Sequence, residues 1–167
     1  MKHLWRALRS IVYATIFLGF WAWLAWKSRL LDKYIPLHFP AWLRVPGIIL
    51  LLAGAMLAAS TVGLFVVSGQ GTPAPFDPPK RLVPRGPYRF VRNPMYVGGI
   101  AALLGFGLDA RSPAITLMAL AVFLLVHTFV LVFEEPDLRK RFGQEYESYC
   151  QRVSRWIPRF TSPHFPT

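Results

Sequence analysis

Two adjacent carboxylates, Glu134 and Glu135, close an apolar run that opens after Arg111. Charges at the lip of such a run are expensive to strip of water, so the pair must face water, a cation or a cluster of arginines. Arginines stand in the stretch GPYRFVRNPMY, Gly86 to Tyr96, where Arg89 and Arg92 alternate with aromatics and prolines between segments of near-pure hydrocarbon. A loop this polar and stiff suits a ligand that the membrane alone cannot hold. His127 lies inside the same apolar run as the glutamates, nearly two helical turns from its end. An ionisable group there is either functional or a neutral histidine bonded to a neighbouring helix, and both readings stand. No metal-ligand spacing surrounds it. The chain has no nucleophile elbow, Walker-type loop or strand followed by GxGxxG, and Gly105-Phe106-Gly107 is better suited to close helix packing.

The elements that must position these groups are apolar. The 167 residues are 54% hydrophobic with a mean hydropathy of +0.38 and a formal charge of +11, which describes a small integral membrane protein rather than a soluble domain. The basic residues flank apolar runs instead of forming a soluble basic face, so no nucleic-acid partner is expected. Runs lie between Arg9 and Lys27, from Val45 to about Val67, from Tyr96 to Leu108, and between Arg111 and Glu134. The fold expected is all-α: a transmembrane helical bundle of about four spans, the last two a hairpin, because about 20 apolar residues cross the hydrocarbon. The third run is the shortest and reads as a tilted span or one arm of a tight hairpin. Basic residues gather at both termini and around Lys80 to Arg92, which puts those segments and the polar loop in the cytosol.

Six prolines between Ser68 and Pro87 (Pro73, Pro75, Pro78, Pro79, Pro84 and Pro87) forbid helix there and predict a structured lid or clamp, the alternative being a solvated linker. Pro136 is expected to kink or break the chain after Glu135. Beyond it Leu138, Phe142, Tyr146, Tyr149, Val153 and Trp156 recur at spacings of three and four, an amphipathic helix whose stripe serves packing and which Pro158 ends. Residues 1–67 are read as anchoring helices, and 68–167 as loop, hairpin and amphipathic helix of one membrane domain. The single cysteine, Cys150, makes no internal disulfide.

RGPYRFVRNPMYVGG, followed by a hairpin-like pair of spans and EEPDLRKRFGQEYESYCQRVSRWIP, resembles the isoprenylcysteine carboxyl methyltransferase and phospholipid methyltransferase superfamily over about Gly69 to Pro158. Four blocks in fixed order carry it: GPY, the arginine-Asn-Pro block with its tyrosine, the paired glutamates and FGxEYxxY. The resemblance implies a membrane enzyme that moves a methyl group from S-adenosylmethionine to a lipophilic acceptor from the bilayer. Its cofactor site would fall on Leu82, Val83, Tyr88, Arg92, Asn93, Pro94, Tyr96, Glu134 and Glu135. Asn93 stands where many carboxyl methyltransferases have histidine, and Lys80 where they often have another. The arginine with which eukaryotic isoprenylcysteine enzymes hold their substrate falls near Val130, so substrate identity does not carry over. The donor set nevertheless suits the cofactor: carboxylates for its ammonium or ribose hydroxyls, Arg92 or Arg89 for its carboxylate, Tyr88 and Tyr96 for its adenine. An amine acceptor would need a base, for which His127 and Glu135 are the candidates; a carboxylate or thiolate acceptor would need none. A phospholipid or other lipid amine N-methyltransferase is the alternative enzyme, and a catalytically idle membrane scaffold or sensor the alternative outside that class.

Overall fold

The computed structural model describes residues 19–68 and 85–158. All regular elements among them are helical: α1 over residues 19–29, α2 at Arg44–Ser68, α3 at Pro94–Asp109, α4 at Pro113–Phe129 and α5 at Glu135–Arg152. Ala41–Leu64 and Pro113–Arg152 are long and apolar enough to cross a membrane. The 16 residues of α3 rise about 24 Å, short of the roughly 30 Å of a hydrocarbon core, so this helix is the first arm of a hairpin with α4. Most of the run between Arg9 and Lys27, and all of the proline-rich segment 69–84, lie outside the described residues.

Glycines decide how the helices meet. Gly47 and Gly54 on α2, and Gly98 and Gly105 on α3, are each seven residues apart, which returns them to one face of their helix. The helices run antiparallel with their backbones in contact along these faces. A Cβ on Gly54 would lie 2.5 Å from the Ala102 nitrogen and one on Gly98 2.7 Å from the Ala58 nitrogen, while one on Gly105 would overlap the Leu51 nitrogen. Gly107 faces the other way, where a Cβ would lie 2.7 Å from Thr116 Oγ1 on α4. The GxG motif is therefore a packing device that serves two neighbours at once.

The α3–α4 turn closes tightly. Ser112 N–H donates to Gly107 O at 2.8 Å and Arg111 N–H to Leu108 O at 3.1 Å, the pairing that caps a helix whose next residue turns left-handed. Arg111 takes that conformation with φ 54, an uncommon place for a residue with a side chain. Ser112 Oγ then accepts from Ile115 N–H at 3.2 Å and Pro113 occupies the first turn, so α4 starts with a side-chain cap.

Pro136 does not break the chain, contrary to the local expectation. Its ring and missing N–H are absorbed by a π turn, Val130–Glu134, in which Glu135 N–H reaches five residues back to Val130 O. Helix then continues to Arg152. The departure comes instead at Gly143, whose φ of 51 and ψ of −125 kink α5. Nor does helix persist to Pro158: Val153 is extended, and Ser154 pairs with Val91 in an isolated parallel bridge. The stripe on α5 does serve packing. Tyr146, Tyr149 and Val153 form a buried cluster flanked by Leu138, Phe142 and Cys150, and the segment around Val91 closes against it.

Candidate active site

The polar loop enters as a short turn, Gly86–Arg89, which starts at a glycine with φ 55. The tail fastens it at successive points. Tyr149 Oη donates to Tyr88 O at 2.7 Å, Arg92 N–H to Ser154 O at 2.8 Å, and Asn93 Nδ2 to Arg155 O at 3.3 Å. Asn93 and Pro94 are both buried at this junction, where Asn93 O accepts from Val97 N–H and Pro94 opens α3. Less than one turn later, Tyr96 Oη donates to Glu134 Oε2 at 3.1 Å. Burial pushes the Tyr88 hydroxyl well above its ordinary range, and the nearby Glu134 charge adds to the rise. The loop and the end of the apolar run thus meet at Glu134, with a tyrosine from each side of the Asn93-Pro94 junction.

The two glutamates differ sharply in environment. Adjacent residues of a helix point about 100° apart, and here that angle separates two sites. Glu134 is half-buried and faces Tyr96 and Tyr88. Glu135 is 2% exposed and faces cations. Arg155 Nε donates to its Oε1 at 2.6 Å and Nη2 to its Oε2 at 2.9 Å, a two-pronged pair. Arg92 Nη1 lies 3.0 Å from Oε1 and Arg139 Nη2 3.5 Å from Oε2. Arg92 Nη1 also reaches Cys150 Sγ at 2.7 Å. Both oxygens of Glu135 are engaged, and loop, helix and tail converge on them.

His127 belongs to a third cluster. Its Nδ1 accepts from Trp156 Nε1–H at 3.0 Å, and its ring stacks on Phe123 with centroids 5.8 Å apart. A donor at Nδ1 requires that nitrogen to be bare, so the proton of the neutral ring sits on Nε2. The partner comes from the tail. Leu82 and Val83 fall outside the described residues.

Arg155, Tyr149 and Trp156 contribute to this assembly without having been singled out for it by sequence. The signal lay in Glu135, a carboxylate at an apolar lip that demands cations, and in the arginines of the tail. Choosing among those arginines requires the fold.

The sequence profile of the phospholipid methyltransferase family matches residues 42–145. The chain belongs to that family. The matched span includes the GPY loop, both hairpin arms and both glutamates. Among relatives of this family member, the cobalt-zinc-cadmium resistance protein CzcN of Cupriavidus metallidurans is 27% identical over 94% of this chain and 63% of its own length. Methanethiol S-methyltransferase 1 of Bradyrhizobium diazoefficiens is 35% identical over 56% of this chain and 30% of its own. A phosphatidylethanolamine N-methyltransferase of Aspergillus flavus is 39% identical over 41% of this chain and 7% of its own. The chain therefore spans less than two thirds of each. The solved structure of the eukaryotic intramembrane Ras methyltransferase, an isoprenylcysteine carboxyl methyltransferase, superposes with a TM-score of 0.59 at 22% identity, covering 90% of this chain and 55% of that one. The fold is that of the intramembrane methyltransferases, and the family and the two apolar helices mark an integral membrane protein.

Proposed function

We propose that this methyltransferase-family chain uses S-adenosylmethionine to methylate a lipophilic acceptor delivered from the bilayer, in the manner of the isoprenylcysteine carboxyl methyltransferases, with its site at the cytosolic face. The observation that carries this is the convergence of Glu134, Tyr96 and Tyr88 at the end of an apolar helix. Among the described residues Glu134 accepts one hydrogen bond, from Tyr96, and retains acceptor capacity for an ammonium or ribose hydroxyls. The tyrosines offer flat apolar faces for adenine. Arg92 is committed to Glu135, which leaves the exposed Arg89 of the same loop to take a carboxylate. Leu82 and Val83 would supply apolar walls, and the prolines before them would stiffen the covering loop.

When bound, S-adenosylmethionine supplies an electrophilic methyl group on a cationic sulfur. The chain's share is to bind, align and exclude water. In this reading Glu135 positions the site: by gathering Arg92, Arg139 and Arg155 it fixes the loop against the tail and so sets where Tyr88 and Asn93 stand. Both proposed bases are already engaged by partners of the fold. Both Glu135 oxygens are paired, and His127 presents Nε2–H while Nδ1 is occupied. That favours an acceptor arriving already anionic, a carboxylate or thiolate, over an amine. The family profile and the phosphatidylethanolamine N-methyltransferase relatives support the second reading, a lipid amine acceptor.

Titration calorimetry of the detergent-purified protein with S-adenosylmethionine tests the site. Glu134→Gln should weaken binding about tenfold to hundredfold, the worth of a hydrogen bond to a charged group, with an unchanged melting profile. Unaltered affinity would remove Glu134 from the site, and no binding by the wild type would favour an idle scaffold. Labelled cofactor given to membranes then separates acceptors: label in a base-labile ester or a sulfide supports the leading reading, label in a lipid amine the second.

A further inference from the structure

The end of the bundle away from Glu134 holds a cavity of about 650 Å³ with charged walls. It is built where α1 ends, α2 begins and the α3–α4 turn closes, and it is lined by Arg29, Asp32, His38, Arg44, Asp109 and Arg111. The volume is in the range of small-ligand sites. Its carboxylates are already used: Asp32 Oδ1 accepts from Ala114 N–H at 2.9 Å, and Asp109 Oδ1 lies 3.3 Å from Arg44 Nε. Its cations are not. Arg44 is 60% exposed and spends one nitrogen on Asp109. Arg111 spends Nε on Phe39 O at 2.8 Å, leaving its terminal nitrogens. Among the described residues Arg29 has no ion-pair partner. Three guanidiniums against two engaged carboxylates leave a net positive pocket rich in unspent donors.

The surroundings say what would fill it. Trp26, Tyr34 and Trp42 are 60%, 71% and 68% exposed on the same segments, as aromatics are where a membrane meets water. On the first turns of α2, immediately beside Arg44, Val45 and Ile49 are exposed hydrocarbon. Guanidinium forks match phosphate oxygens in pairs, and at this depth phosphate is what the lipid itself provides. We propose that this cavity binds the phosphate of an anionic phospholipid headgroup from the leaflet opposite the Glu134 site, with the acyl chains lying along α2. The lipid would tie the α1–α2 connection to the α3–α4 turn, since the cavity takes guanidiniums from both.

The test does not depend on enzymatic activity. The purified full chain is reconstituted in phosphatidylcholine nanodiscs containing a phosphatidylglycerol probe with a photoreactive group next to its headgroup, and adducts are mapped by peptide. The wild type should be labelled within residues 29–44 and 106–113. Arg29→Gln/Arg44→Gln should lower that labelling about tenfold, as expected for lost charge-assisted bonds, while Lys140→Gln at the other end leaves it unchanged. Arg29→Gln alone, which removes no ion pair among the described residues, should give a smaller loss in the same peptides. Equal labelling in wild type and both variants would overturn the proposal. So would full competition by inorganic phosphate, which would assign the cavity to a free anion.

Discussion

The two ends of the helical bundle use the same kinds of side chain to opposite purpose. At the Glu134 end, the carboxylate of Glu135 is 3% exposed and its partner Arg92 10%, and the groups that meet there come from residues 92, 135, 139 and 155. At the other end the ion pair of Arg44 and Asp109 is 60% and 26% exposed, and its two residues are the first of α2 and the last of α3. A buried carboxylate paired with a buried guanidinium holds its segments in one arrangement, because Glu135 or Arg92 left without the other would be a stranded charge. An exposed pair in a wet cavity fixes little and leaves donors for something that comes and goes.

The contrast is broken most severely at Glu135. Glu135→Ala should destabilise the protein by about 3–5 kcal/mol, the cost of orphaning a buried partner, read as a collapse of the melting temperature in detergent. A mild loss would mean that the arginines find other partners and that the two ends differ less than their burial indicates. Gly105→Val comes next. Its side chain must enter the backbone of α2 at Leu51, so a loss of about 1–3 kcal/mol is expected, measurable in the same melts and accompanied by separation of α2 from α3. Trp156→Phe keeps the ring contacts with Phe123 and His127 but removes the indole donor, and should lose about 1 kcal/mol. Asp109→Asn is the mildest: an exposed pair is worth about 0–1 kcal/mol, and thermal unfolding should scarcely shift. A loss as large as that of Glu135→Ala would show that the open end, too, is structural.

Apolar helices and the hairpin were legible in the sequence because spanning length and turn residues are local properties. The pairing of Glu134 with Tyr96 was legible only through the resemblance, since the two lie 38 positions apart. What escaped local reading depends on closure. Pro136 carries every mark of a helix breaker, yet one wider turn before it absorbs the missing donor. Gly143 looks like an ordinary flaw among charged residues, yet the chain kinks there. The tail's arginines are indistinguishable by type, and only the return of Ser154 to Val91 selects Arg155 for Glu135. His127 had two readings, and its bond to Trp156 ties it to the tail beyond α5 rather than to a neighbouring helix.

The glycine faces of α2 and α3 also govern where the molecule can give way. Rotamer changes are how packed helices usually make room for a guest, and at Gly54, Gly98 and Gly105 the nearest neighbours are main-chain atoms, which have none to offer. These two helices are expected to move together as a single plank. If the proposed lipophilic acceptor is right, room for its hydrocarbon tail is expected on the α4 flank beyond the Gly107 contact, rather than between α2 and α3.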